Sequence, residues 1–355
     1  MSQRRSASAG DRRLVPISLP RLRSSTRVPP LPRFLCLLAA LAVLAGLSRA
    51  APAADCAVKA APSPGGLAAV GDYRPTLQVC SSEDGRRAFA IRTLTVGGER
   101  LALLADPEAL TTRLERAACW TCRDASEDEL APTRMGRAIA ASAGAPGIAH
   151  RGFLENAGLV RGAPAGAFVT GDLCPSARPL DRGFFAELET TGPHAPVALS
   201  ISGLWLERHG ADFRWLTDQR DSGRLAILWV NHTFTHPYRR KIPDASNFLL
   251  SRRVDPEREI LDTERLLIAN GETPSLFFRF PGLVSSDPLM QTVRRFHLVT
   301  LGADAWLAIG QKPGPGSIVL VHPNGNEPEG LRRFAADVAR GAIARPLEPL
   351  TAAPQ

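Results

Sequence analysis

The chain has 355 residues, of which 44% are hydrophobic and 22% charged, an ordinary globular composition that excludes wholesale disorder. Its net charge of +8 belongs to the first 54 residues, where nine arginines face a single acidic residue; the remainder carries equal numbers of basic and acidic side chains. A neutral body offers no basic patch for nucleic acid, so no nucleic-acid partner is expected.

Residues 1–53 read as a signal peptide with a long basic n-region. Arginine-rich sequence runs to Arg33, an apolar stretch covers 34–47, and small residues follow. That stretch falls short of the roughly 20 residues a membrane span needs. It suits a signal core ahead of an A-x-A-like cleavage site at Ala51-Pro52-Ala53, the alternative being an uncleaved anchor. Cleavage leaves an exported protein, periplasmic or secreted, with no stable membrane insertion. Ala54-Asp55 before Cys56 is not a lipobox, so no lipid anchor is expected there.

Residues 54–160 are expected to form a small N-terminal region with a linker. Strand-like runs at 88–96 and 101–104 precede a helix-like run at 107–118, and the Gly/Ala/Pro-rich stretch 140–164 reads as the linker. Cys119-Trp120-Thr121-Cys122 has no thioredoxin-like flanks, and Arg123 in place of histidine excludes c-type haem attachment. A structural disulfide, or half of one, is the favoured reading. In an oxidising compartment disulfides are expected among Cys56, Cys80, Cys119 and Cys122, with the pairing open and Cys174 left over.

Residues 161–345 alternate strand and helix patterns, and 346–355 form a tail. Apolar runs at 165–170, 197–201, 225–230, 276–280, 298–301 and 318–321 read as short buried strands. Helix-like segments cover 183–189, 203–209, 213–220, 256–270, 288–296 and 328–339. Asp255 and Pro256 suit a helix start, and Gly271 suits its end. This alternation predicts parallel strands joined by crossover helices, with chemistry at the strands' C-terminal ends.

Polar outliers fall at those ends: Asp172, His232 and His236, Arg279, Asp304 and His322. Two histidines four apart share a face if the chain turns helically, and both imidazoles can then reach one divalent cation. A pair of hydrogen-bonded loop histidines is the plain alternative. The N-x-T sequon at Asn231 is discarded as a glycosylation site, because a glycan there covers the histidine pair.

Taken in order, Thr170-x-Asp172-x-x-Pro175, His232-Thr233-x-x-His236, Arg279-x-Pro281, Asp304-x-Trp306 and Leu320-x-His322 resemble the five motifs of the polysaccharide deacetylases, the NodB-homology or carbohydrate esterase family 4 domain. The resemblance implies an α/β fold, a distorted (β/α) barrel, and metal-dependent removal of acetyl groups from sugar polymers. It implies His232 and His236 as metal ligands, Asp172 as general base and His322 as general acid. Arg279 would hold the base, Asp304 would support His322, and Pro281 and Trp306 would contact substrate, Trp306 being a core aromatic in the plain reading. The implied cofactor is a divalent metal, Zn²⁺ or else Co²⁺ or Mn²⁺, and the implied partner an acetylated polysaccharide or oligosaccharide.

The chain departs from the family pattern at several points. Leu173 stands where the family has its second acidic residue, usually a metal ligand; either Asp172 is the ligand and the base is lost or replaced, or, the favoured reading, Asp172 stays the base and water completes the coordination sphere. Cys174 replaces a glycine; its thiolate could bind zinc, although a plain buried thiol is the favoured reading. Arg279-Phe280-Pro281-Gly282 lacks the family's aromatic between proline and glycine, and the Asp304 motif has one aspartate where two are usual. The expected function is therefore a metal-dependent deacetylase, most simply an N-deacetylase, of an extracytoplasmic glycan. The alternatives are a degenerate glycan-binding barrel and a metal hydrolase acting on another amide or ester.

Overall fold

A computed structural model describes residues 56–58, 62 and 66–355, all within the unit Pro52–Gln355. The expected signal peptide, residues 1–53, lies outside the described residues. Among the latter, no helix is long and apolar enough to cross a membrane.

The first layer is an antiparallel sheet of β1 (Val70–Ser82), β2 (Arg87–Val96), β3 (Glu99–Ala105), β4 (Thr112–Arg116) and β5 (Trp120–Asp124), in the order β4-β3-β2-β1-β5. The helix expected at 107–118 is absent. Asp106 accepts hydrogen bonds from the backbone amides of Glu108 and Ala109, closing a turn that sends β4 back along β3. Disulfides join Cys56 to Cys119 and Cys80 to Cys122, so the two cysteines of the C-x-x-C bond to different partners. Cys174 remains a buried free thiol.

Two helices follow, α1 (Glu127–Leu130) and α2 (Arg134–Ala143), and then β6 (Ile148–His150) and β7 (Phe153–Glu155). The stretch expected as a linker is thus structured: it ends α2 and forms a hairpin. Asn156 adds a bracket, donating from Nδ2 to the Ala303 carbonyl at 2.7 Å and accepting from the Ala303 amide at 2.8 Å.

The second layer is the (β/α) barrel. In chain order it comprises β8 (Phe168–Leu173), α3 (Arg182–Glu189), β9 (Ala195–Ile201), α4 (Gly203–Arg208), α5 (Gly210–Asp221), β10 (Leu225–Asn231), α6 (Pro256–Ala269) and β11 (Phe277–Arg279). There follow β12 (Val284–Ser285), which pairs with β7, then α7 (Asp287–Arg295), β13 (Val299–Leu301), β14 (Ala305–Trp306), β15 (Ile318–Val321) and α8 (Pro328–Ala339). Seven strands run parallel in the order β13-β11-β10-β9-β8-β15-β14, a curled sheet open between β13 and β14.

Strand periodicity sorts the side chains. Val169, Leu199, Ile201, Val319 and Val321 face outward and pack with Phe184, Phe185, Trp205, Leu216 and Phe334 of the surrounding helices. Phe168, Ala198, Phe277, Val299 and Ile318 face inward and join Ile91, Leu94, Leu101 and Leu103 of the first sheet in one cluster. That sheet stoppers the barrel at the strands' N-terminal ends, leaving the C-terminal ends for chemistry. On α6, Asp255 accepts from the amides of Glu257 and Arg258, and Gly271 follows in the left-handed region, as the sequence pattern predicts.

One buried ion pair fastens the two layers. Arg92 of β2 forms a fork with Glu264 of α6, at 2.8 and 3.0 Å, and donates further to the carbonyls of Ile91 and Phe296. Tyr73 donates its hydroxyl hydrogen to the same carboxylate at 2.8 Å. Removing one partner of such a pair leaves an uncompensated charge, which costs about 3–5 kcal/mol. Glu264→Leu is therefore expected to lower unfolding stability by about that much in urea titration, with a smaller loss for Arg92→Met/Glu264→Leu together. Equal stability of Glu264→Leu and the parent would show that the pair does not join the layers.

Candidate active site

The barrel's polar roof begins with one guanidinium. Arg279 ends β11 facing inward with no solvent exposure. Its Nη1 donates at 2.8 Å to Thr170 Oγ1 and at 2.8 Å to Asp172 Oδ1, and its Nη2 donates at 3.0 Å to the Gly302 carbonyl. Thr170 passes the connection on, donating to the Val319 carbonyl at 2.7 Å. Phe168, Thr170 and Asp172 alternate along β8, so the strand rises from apolar floor to polar roof in three inward steps. Burial opposes ionisation of Asp172, but the adjacent Arg279, with His232 and His322, outweighs it and holds the carboxyl well below the usual carboxylate range.

His232 and His236 meet, though not by a helical turn. The loop after β10 is irregular, with Thr233 and His236 at φ of 66° and 47°. Asn231 holds its start, accepting from the Thr233 amide and donating to the Ile260 carbonyl, and this buried engagement leaves no room for a glycan. Glu259 of α6 holds its middle, accepting from the amide and the hydroxyl of Thr235 at 2.7 and 2.5 Å. The imidazole centroids then lie 4.8 Å apart, edge to face. His232 donates from Nδ1 to the Arg279 carbonyl at 2.8 Å, which fixes its tautomer. Its Nε2 is 3.6 Å from both Asp172 Oδ2 and Cys174 Sγ. His236 Nε2 is buried and has no hydrogen-bond partner.

His322 follows β15 by one residue. Its Nε2 lies 4.0 Å from Asp172 Oδ2, and its Nδ1 lies 2.8 Å from Glu327 Oε2, which also accepts from Trp306 Nε1 at 2.8 Å. Burial alone would lower the pKa of His322; its interactions with Cys174 and Glu327 reverse that and raise it well above the ordinary value. The expectation that Asp304 supports His322 is corrected here. β14 pairs in parallel with β15 so that Ala305 stands beside Val319, which sets Asp304 at the strand's start. There it accepts from the Ile318 amide at 3.0 Å and from Ser317, and pairs with Arg161. Four residues of strand, about 13 Å at 3.3 Å each, separate Ile318 from His322. Glu327 occupies the role expected of Asp304, and sequence reasoning missed it; an acidic residue five positions beyond the histidine, just before a predicted helix, was the available signal.

Several of these groups, Asp172, Cys174, His236, Trp306, His322 and Glu327, line a cleft of about 650 Å³. Trp306 is both wall and partner of Glu327. Pro281 is buried and does not line the cleft; its neighbours Gly282 and Leu283 do. Gly282 has a φ of 62°, and a Cβ there would come within 2.5 Å of the Phe248 ring. Phe248 and Tyr238, stacked at 5.3 Å, supply an aromatic wall that sequence reasoning also missed. Buried Asn247 staples that loop by bonding the backbone of Arg239, Ile242 and Phe248.

The structure is similar to solved structures of family 4 carbohydrate esterases, the family its motifs resemble. One such esterase from Bacillus anthracis superposes with a TM-score of 0.40 and 18% identity over 56% of this chain and 87% of its own. One from Streptomyces lividans, in complex with acetate, gives 0.37 and 19% over 54% and 98%. A family pseudoenzyme from Bacillus anthracis gives 0.38 and 16% over 56% and 69%. No family model matches the chain.

The donor set fits a divalent cation: two imidazoles converge, one with an orphaned buried nitrogen, beside a thiol and an ionised carboxylate. Cys174 Sγ and the ring nitrogens of His232 and His236 all lie within 4.8 Å of one another. Burial opposes a Cys174 thiolate, but His236, His232 and His322 outweigh it and bring the thiol well below its usual pKa. Arg279→Met removes the main cause of the depressed Asp172 pKa and is expected to cost about 3–5 kcal/mol near neutrality. In the parent, the depressed pKa stabilises above the unfolded carboxylate's pKa and that contribution fades as pH falls. In the variant burial instead favours the protonated carboxyl, so its deficit narrows on acidification. Urea titrations at pH 7 and pH 5 check the variant's sign, since the parent's contribution fades only below the unfolded carboxylate's pKa; a pH-independent deficit would contradict the assignment.

Proposed function

We propose that this chain is a metal-dependent hydrolase that removes acetyl groups, N-acetyl in the first instance, from an exported glycan. The observation that carries the reading is the convergence of His232 and His236, with an unpartnered Nε2 on His236, beside Asp172 and His322, which line one cleft with His236. A divalent cation, Zn²⁺ or else Co²⁺ or Mn²⁺, supplies a Lewis acid for the acyl carbonyl and lowers the pKa of a water it binds.

The chain's own groups do the rest. His232 and His236 hold the cation. Asp172, with Oδ1 fixed by Arg279, presents Oδ2 towards His232 and His322 and takes the proton of the attacking water. Arg279 lowers its basicity but secures its ionised form and its direction. His322 Nδ1 lies 2.8 Å from Glu327 Oε2 in an ion pair, and Nε2 is the atom that delivers a proton to the leaving amine. Tyr238, Phe248 and Trp306 offer flat apolar faces of the kind that cover a sugar ring while polar groups orient it.

A panel of N- and O-acetylated oligosaccharides, assayed for acetate with Zn²⁺, Co²⁺ or Mn²⁺ added, tests the reading. Release that chelation abolishes and metal restores is expected. His322→Ala should lower kcat about 10²–10⁴-fold without changing metal content. Asp172→Asn should also keep its metal while losing rate; joint loss of both would make Asp172 a ligand. Tight glycan binding with no acetate released under any metal would favour the degenerate barrel instead.

A further inference from the structure

We propose that Cys174 is the third protein ligand of the metal site, making its donor set one thiolate and two imidazoles. This rests on the metal-site reading above and specifies it. Phe168, Thr170, Asp172 and Cys174 share the inward parity of β8 and its extension, whereas Leu173 faces outward among the core side chains under the helices. The position at which the resembled family keeps an acidic ligand is therefore turned away from the barrel. The next residue is turned in.

The Cys174–His232 distance suits ligation. A tetrahedral zinc with bonds of about 2.3 Å to sulfur and about 2.05 Å to nitrogen sets those two atoms about 3.6 Å apart. Cys174 Sγ and His232 Nε2 are 3.6 Å apart. A ring nitrogen of His236 completes the set, the three donor atoms lying within 4.8 Å of one another. The backbone beneath the thiol is fixed on both sides: Asn324 donates to the Cys174 carbonyl at 2.8 Å and Ser202 to the Leu173 carbonyl at 2.9 Å. Asp172 is less free to serve, since Arg279 and Thr170 already tie down its end of the strand. Four of the other cysteines are spent in disulfides, so Cys174 is the free thiol among the described residues.

A sulfur ligand makes the site softer and favours Zn²⁺ or Co²⁺ over Mn²⁺. The test is a Co²⁺ titration of the full chain with both disulfides intact, followed by absorption. The parent should bind one Co²⁺ with tetrahedral visible bands and an intense near-ultraviolet thiolate-to-cobalt charge-transfer band. Cys174→Ser should lose that band and bind Co²⁺ more weakly, by more than the about 10–100-fold that follows loss of an outer partner. Cys174→Asp should restore binding without the band and bind Mn²⁺ better than the parent does. One Co²⁺ bound without a charge-transfer band, and bound equally by Cys174→Ser, would overturn Cys174 as a ligand and leave the metal site standing. No Co²⁺ bound by the parent would overturn both. Because the parent's spectrum decides the matter, a variant that fails to fold leaves the proposal falsifiable.

Discussion

The site depends on keeping a guanidinium and a carboxylate charged inside a barrel. Arg279 is fully buried, and Asp172 is nearly so. Taking each from solvent costs several kcal/mol, repaid only where geometry and hydrogen bonds satisfy them. The repayment comes from Thr170 and Asp172 of β8 and from the Gly302 carbonyl beyond β13, with Thr170 in turn donating to the Val319 carbonyl of β15. Arg279 thereby draws together strand ends that share few ladder hydrogen bonds; β10 and β11, for instance, are paired through Asn231 and Phe278. The same residue orients His232 through its carbonyl and Asp172 through its side chain, so the two sides of the candidate metal site are set by one amino acid.

Below that layer the barrel must be dry, and the N-terminal sheet makes it so. Phe168, Phe277 and Ile318 would otherwise face solvent at the open end; Ile91, Leu101 and Leu103 cover them. The sheet is therefore part of the barrel's core, fastened by the Arg92–Glu264 fork and stiffened by the Cys80–Cys122 disulfide between β1 and β5, while Cys56–Cys119 ties the preceding chain to the turn before β5. α6 links the two ends of the molecule: Glu264 holds the stopper while Glu259, five residues earlier on the same helix, holds the histidine loop.

Much of the barrel was legible because its strands are short, apolar and buried on both faces, as parallel strands are. The runs at 318–321 and 328–339 coincide with β15 and α8, whereas β8 begins three residues later than the run at 165–170. The N-terminal sheet was harder. β1 carries Gly71, Asp72, Arg74 and Pro75 across an irregular pairing with β2, so no alternation announces its thirteen residues. At 107–118 a turn followed by a strand imitates helical spacing. Within the site, residues that arrive directly on strand ends were readable, namely Asp172, His232, Arg279 and His322. Asp304 was misplaced because its role depends on the register between β14 and β15, which a single sequence does not display. Glu327, Tyr238 and Phe248 reach the cleft from loops, where nothing periodic marks them.

Leu173 shows why register matters more than residue-by-residue matching. Read along the motif, a leucine in place of an acidic residue looks like the loss of a ligand. In the strand, positions 172 and 174 share the inward face while 173 packs outward with Val169 and Leu199. A carboxylate at 173 would then be buried among aromatic and aliphatic side chains with no partner, at a cost of several kcal/mol. A leucine there strengthens the core, and the donor moves one residue on, to a position that faces the histidines. On the proposed reading, the exchange keeps three donors and changes one of them from oxygen to sulfur. On that reading such a site would bind its metal more selectively and would make activity depend on the redox state of a single thiol.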